Sequence, residues 1–114
     1  MRTKYRAIRT EVDGRSFASK LEARRYRQLV ELQKLHLIRW FTCQVPFHLA
    51  PGVKYVADFL VVWSDDRVTI EDVKGVETQA FKIKRKLFEP LYGPLTILTV
   101  KEIESLEKAL VNPQ

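Results

Sequence analysis

Asp58 lies in the middle of Tyr55-Val56-Ala57-Asp58-Phe59-Leu60-Val61-Val62-Trp63. Asp72 and Lys74 lie near the end of Arg67-Val68-Thr69-Ile70-Glu71-Asp72-Val73-Lys74-Gly75. Both runs are β-branched or aromatic over most of their length, and Ser64-Asp65-Asp66 between them favours a turn, so they read as consecutive strands. Side chains alternate along a strand. Val68, Ile70, Asp72 and Lys74 therefore share one face, and Asp58 shares the face of Val56, Leu60 and Val62. If the two faces coincide, two carboxylates and one ammonium meet at one place. An apolar sheet accepts such charges only when they are paired or bound to a metal. The choice is between an ion pair on an exposed sheet face and a cation site. Glu71 falls on the opposite face by the same alternation and is not selected.

The elements that must position these residues follow in order. Residues 1–15 are polar and basic and read as an extended arm or short strand; Arg2, Lys4, Arg6 and Arg9 suit phosphate contacts or a solvated tail equally well. Ser16 to about His36 reads as a helix. Ser19-x-x-Glu22 fits a capping box, with Ser16 as the other candidate cap. Leu21, Tyr26, Leu29, Val30, Leu32 and Leu35 supply its apolar side, and Arg24, Arg25, Arg27 and Lys34 line the others. Glu22 in the first turn stabilises the helix dipole whether or not it has a further role.

Ile38 to Leu49 reads as a strand broken at Pro46, with His36 at the surface, His48 in packing and Cys43 as a small buried hydrophobe. Ala50-Pro51-Gly52 is a turn. After the two central strands, Glu77 to Glu89 reads as a second helix, with Ala80, Ile83, Leu87 and Leu91 along one side and Phe81 and Phe88 beside them. Lys82, Arg85, Lys86 and Glu89 share its outer face, as a phosphate track or a solvated surface. Pro90 and Gly93-Pro94 are expected to end it. Leu95 to Val100 reads as a buried strand. Lys101 to Val111 reads as a last helix, with Ile103, Leu106 and Leu110 inward, and a short tail follows.

The order of helix, three strands, helix, strand, helix predicts an α/β fold with a mixed central sheet flanked by helices. It forms one domain over residues 1–114, with 1–15 as a basic arm. The composition sets limits. The 114 residues are 46% hydrophobic, enough for a modest core. No apolar run approaches the ~18 residues that span a bilayer, and the N-terminal residues lack the apolar segment of a signal peptide. A lone Cys43 excludes an internal disulfide and fits a reducing cytoplasm; one Cys and two His argue against zinc. The net charge of +6 is uneven: residues 1–39 carry eleven Lys and Arg against four acidic residues, and the rest carry nine against ten. A basic lobe beside a locally acidic centre suits a polyanion approaching a cation-filled pocket, although solubility alone would also account for it.

An acid, a gap and then acid-x-Lys resembles the metal-binding signature of the PD-(D/E)XK nuclease superfamily, with Ala57 in place of its proline and Asp72 in place of the commoner glutamate. The order of elements is similar to that superfamily's restriction-endonuclease-like core. Further residues resemble one branch, small phage-encoded nucleases related to Holliday-junction resolvases. They are Asp13-Gly14 with Phe17, Ser19-Lys20-Leu21-Glu22-Ala23-Arg24-Arg25-Tyr26, Gln44-Val45-Pro46-Phe47, Ala57-Asp58-Phe59, Glu71-Asp72-Val73-Lys74-Gly75 and Thr78.

The resemblance implies a Mg²⁺-dependent endonuclease, with Mn²⁺ as substitute, acting in DNA recombination in the cytoplasm of a bacterial host. It implies Glu22, Asp58 and Asp72 as catalytic metal ligands, the Val73 carbonyl as a further ligand, and Lys74 beside the attacking water. Ser19, Gln44 and Thr78 become candidates to line the site, and Arg24, Arg25, Lys82, Arg85 and Lys86 to contact DNA. Branched DNA, with the four-way junction foremost, is the implied substrate. A homodimer is implied because two symmetric cuts need two sites. Trp40, Phe41 and Trp63 are candidates for its interface as well as for the core. A differently directed nuclease of the same superfamily and a non-catalytic basic nucleic-acid-binding module remain the alternatives.

Overall fold

The structure is a computed structural model. It describes residues 9–74 and 76–111, giving the backbone alone for 109–111. Arg2, Lys4 and Arg6 of the basic arm, Gly75, the Leu110 side chain and the tail lie outside the described residues.

The chain starts with a hairpin, β1 (Thr10–Val12) and β2 (Arg15–Phe17), instead of a plain arm. Asp13 at φ 52° and Gly14 at φ 75° form its two-residue turn. Positive φ at both central positions matches the right-handed twist of a hairpin, and Asp-Gly is a preferred pair for it. Phe17 thereby becomes a core residue, and helix α1 (Lys20–Lys34) starts later than Ser16. Ser19 is its cap, its Oγ accepting the Glu22 N–H at 3.1 Å. The helix stops as His36 enters the left-handed region at φ 63°.

Strands β3 (Ile38–Ala50), β4 (Val53–Trp63), β5 (Val68–Glu71) and β6 (Ile97–Leu98) form one sheet in that order. The first three are antiparallel, and β6 runs parallel to β5. The architecture is α/β, a mixed four-stranded sheet with three helices. Pro46 does not break β3 but pairs in register with Val56. The strand lies at the sheet edge, where a missing N–H is tolerated. His48 is exposed, not packed.

Helix α2 (Gln79–Tyr92) runs past Pro90 and ends at Gly93. Its inward face is rotated from the expected one. Phe81 and Phe88 are buried, while Ile83, Leu87 and Leu91 are 51%, 38% and 55% exposed. Two aromatic rings bury more area than the aliphatic stripe, and they set the rotation. Helix α3 (Val100–Val111) begins where the last strand was expected to continue.

Two clusters make the core. Leu29 and Tyr26 of α1 pack on Phe59, Val61 and Trp63. Phe81 and Phe88 of α2 pack on Tyr55, Ala57, Ile70 and Ile97. Trp63, a candidate for a subunit interface, is buried within the chain and donates through Nε1 to Thr69 Oγ1 at 2.8 Å. Phe41 packs against the first cluster, and Trp40 is exposed. Asp58 sits on β4 where strand contacts pass from the second cluster to the first.

Candidate functional site

Register explains how the two acids of β5 part company. Phe59 pairs with Glu71, and Leu60 with Ile70. Glu71 is turned to α1, where it takes Arg25 Nε at 2.7 Å and Nη2 at 2.6 Å. Arg25 also bonds Glu107 of α3. Its guanidinium is buried and fully engaged, so Arg25 is withdrawn from the set of surface cations for DNA. A helical repeat places it near Arg24 in sequence but cannot show that it turns inward to neutralise a buried acid.

Asp72 follows directly, where β5 ends, and its N–H donates to Leu98 O of β6 at 2.9 Å. Asp72 is 2% exposed. Oδ2 accepts the Tyr55 hydroxyl at 2.5 Å. Oδ1 is buried with no hydrogen-bond partner; its polar contact is Lys74 Nζ at 3.3 Å. Lys74 also lies over the Phe81 ring, 5.3 Å from its centre. Asp58 Oδ2 accepts the Val73 N–H at 2.7 Å, which ties β4 to the segment after β5.

Glu22 arrives from the first turn of α1 and is 4% exposed. Its Oε2 accepts Gln44 Nε2 at 3.0 Å. Gln44 lies between the pairs Cys43–Phe59 and Val45–Ala57, hence across from Asp58, at φ 55°. Of the candidate lining residues, Gln44 thus touches a site carboxylate. Ser19 and Thr78 are instead helix caps, the Thr78 hydroxyl accepting the Phe81 N–H at 3.2 Å.

The carboxylates feel one another. Burial, then the Glu22 and Asp72 charges, push Asp58 up to about 7 against the pull of the Val73 N–H and Lys74. Burial raises Glu22 as well, with Asp72 adding to it and the Ala18 N–H, Gln44 and the Arg9 charge opposing. Tyr55 keeps its proton, because burial and the adjacent Asp72 disfavour the phenolate. Three acids from α1, β4 and the end of β5 thus converge with one ammonium. Negative charge is in excess there, and one buried carboxylate oxygen has no hydrogen bond beyond its ion pair with Lys74.

Such a set fits a hard divalent cation, which oxygen donors favour. Among the described residues, no three or more His, Cys, Asp or Glu side chains are grouped as a metal site, so the acids converge without closing one. Tyr55 is the member that the sequence did not single out; a tyrosine three residues before an aspartate carries no signal of its own.

The surface cations divide. Arg24, Lys82 and Lys86 are exposed. Arg85 is half-buried, with Nη2 donating to both carboxylate oxygens of Glu102 at 2.8 and 2.9 Å, so its charge is already paired. Among the described residues, no helix is long and apolar enough to cross a membrane.

The chain belongs to the family described as "Protein of unknown function (DUF1064)", whose model matches residues 2–106. No curated protein and no solved structure matches it.

Proposed function

We propose that this chain is a metal-dependent endodeoxyribonuclease of the PD-(D/E)XK type that hydrolyses phosphodiester bonds in branched DNA, with the Holliday junction as its leading substrate. The observation that carries the reading is the convergence of Glu22, Asp58 and Asp72 on Lys74, with Asp58 raised to about 7 by burial and then by the Glu22 and Asp72 charges, and Asp72 Oδ1 buried with no hydrogen bond beyond its ion pair with Lys74. Three buried, mutually repelling carboxylates are costly to a fold, and Lys74 and Arg9 offset that cost only in part, since Asp58 and Glu22 both stay raised.

Glu22, Asp58 and Asp72 would hold Mg²⁺ or Mn²⁺, with the Val73 carbonyl as a further ligand. A divalent ion bound there supplies charge neutralisation at the phosphate and activation of water. The chain's own residues do the rest. The Val73 N–H and Gln44 fix the Asp58 and Glu22 carboxylates in place. Tyr55 holds Asp72 by one oxygen and leaves the other facing Lys74. The Lys74 ammonium stabilises charge developing on the phosphoryl oxygens as water's oxygen bonds to phosphorus and the bond to the leaving oxygen breaks. Paired cuts across a junction require two such chains, so the active form is a homodimer.

The test is incubation of the purified protein with a labelled four-way junction and a matched linear duplex, in Mg²⁺, in Mn²⁺ and in EDTA, with Asp58→Asn alongside. Paired, metal-dependent nicks confined to the junction and absent in the variant are expected. Cleavage of both substrates would keep the chemistry and remove the junction preference. Binding without cleavage in every metal would refute the reading.

A further inference from the structure

A cavity of about 550 Å³ is lined in part by Lys74, the partner of Asp72. Such volumes are typical of ligand sites, about 300–1,000 Å³. Lys74, Lys82 of α2 and Lys101 of α3 line it, against one acid, Glu77. Among the described residues, neither Lys82 nor Lys101 has an ion-pair partner, unlike Arg85 and Arg25 nearby. Val100 and Lys101, also in its wall, are the first two residues of the 12-residue α3. The N–H groups of a first helical turn have no partner within the helix, and the helix dipole there favours an anion. Lys74 is paired with Asp72, so Lys82 and Lys101 against Glu77 leave the excess of positive charge in this concave space. Lys82 and Lys101 belong to two helices joined through β6 and Lys74 to the segment after β5, so the arrangement is a product of the fold and not of a local basic run.

We infer that this cavity is a phosphate subsite, holding the backbone phosphate of the nucleic-acid strand next to the one that reacts at Asp58 and Asp72. Lys74 borders both places, so one ammonium faces two successive phosphates. The preference for phosphate stands on the cavity itself; that the phosphate belongs to a DNA strand rests on the nuclease reading. Lys101 enters the substrate path by this route, although it stands far from the acids in sequence.

The experiment uses the full chain carrying Asp58→Asn, in EDTA, so that no strand is cut. Inorganic phosphate is titrated while the side-chain ammonium signals of lysine are followed by NMR. Saturable shifts of Lys82 and Lys101, absent with sodium chloride of equal ionic strength, are expected. Binding of a labelled oligothymidylate is then measured against salt. Adding Lys82→Gln with Lys101→Gln should weaken binding roughly tenfold and flatten the log–log salt slope by about 1.4, since each phosphate contact on a single strand contributes about 0.7. Both lysines are exposed, so folding is retained. A charge-matched control, Lys34→Gln with Lys54→Gln, should change affinity less than about twofold. Phosphate that leaves Lys82 and Lys101 unmoved, or a control that flattens the slope equally, would overturn the subsite. A chain that binds phosphate here yet cuts no DNA in any metal would sustain the subsite and refute the hydrolysis.

Discussion

The hydroxyl of Tyr55 donates to Asp72 Oδ2 at 2.5 Å, and among the described residues it is the one uncharged group bonded to that carboxylate. Tyr55→Phe removes the donor and keeps the ring. A buried carboxylate oxygen then loses its partner, which costs about 1–3 kcal/mol. Thermal unfolding in EDTA should show the loss, and cleavage should fall because Asp72 is no longer oriented. Unchanged melting and unchanged cleavage together would show that the bond has no consequence.

Excess negative charge at the acids predicts an unusual pH profile. In EDTA the folded chain keeps the Asp58 proton up to about pH 7, whereas the unfolded chain releases it near 3.8. Between those values the folded state binds more protons, so stability falls as pH rises, by at most about 1.4 kcal/mol per pH unit from this group. Glu22 is shifted the same way and adds to the slope. Asp58→Asn should match the parent near pH 4 and be the more stable protein at pH 8. Denaturant titrations at both pH values decide it, and a variant less stable than the parent at pH 8 would contradict the assignment.

A divalent ion should reverse that penalty. An ion at about 100 times its Kd stabilises a folded state by about 2.7 kcal/mol. For a chain of this size Mg²⁺ or Mn²⁺ should raise Tm by several degrees at pH 8, on the order of 4 °C or more per kcal/mol. Asp58→Asn and Asp72→Asn should lose most of the shift. An equal shift in all three proteins would place the ion elsewhere.

Arg24 and Arg25 are adjacent in sequence and opposite in role. Arg25→Ala leaves Glu71 buried without its cation and should cost about 3–5 kcal/mol of stability. Arg24→Ala, on the exposed side, should leave Tm within about 1–2 °C and weaken DNA binding in a salt-dependent way. Melting curves and anisotropy on the same two variants separate the roles. The reverse pattern would restore Arg25 as a surface contact.

The element order and the three acids with Lys74 were legible because strands that carry ionisable residues break the apolar pattern. Alternation separated Asp72 from Glu71, and the cross-strand pairs bear that separation out. The hairpin at Asp13-Gly14 carries its turn dipeptide in the sequence, but strands of three residues have too little periodicity to register. Pro46 and Pro90 carry the ordinary signal of a break. An edge strand and a final helical turn both tolerate the lost N–H, and neither location is known before the sheet is assembled. The rotation of α2 depended on which side chains the sheet could accept, a tertiary matter. The same holds for Arg25 and Tyr55, whose roles lie in partners 46 and 17 residues away.

Three mutually repelling acids cannot hold themselves together, so their spacing must be enforced from behind. Arg25 stands three residues from Glu22 on one helix, and its partner Glu71 is the residue before Asp72. The bond between them works as a spacer bar on the reverse side of the sheet, and Glu107 braces it from α3. A second positive charge, on the other face of the strand, therefore sets how far apart the converging negative ones can drift. On the nuclease reading, Glu107→Gln, distant from all the acids in sequence, should then change the ratio of Mg²⁺- to Mn²⁺-supported cleavage before it lowers the melting temperature, and an unchanged ratio would refute the spacer.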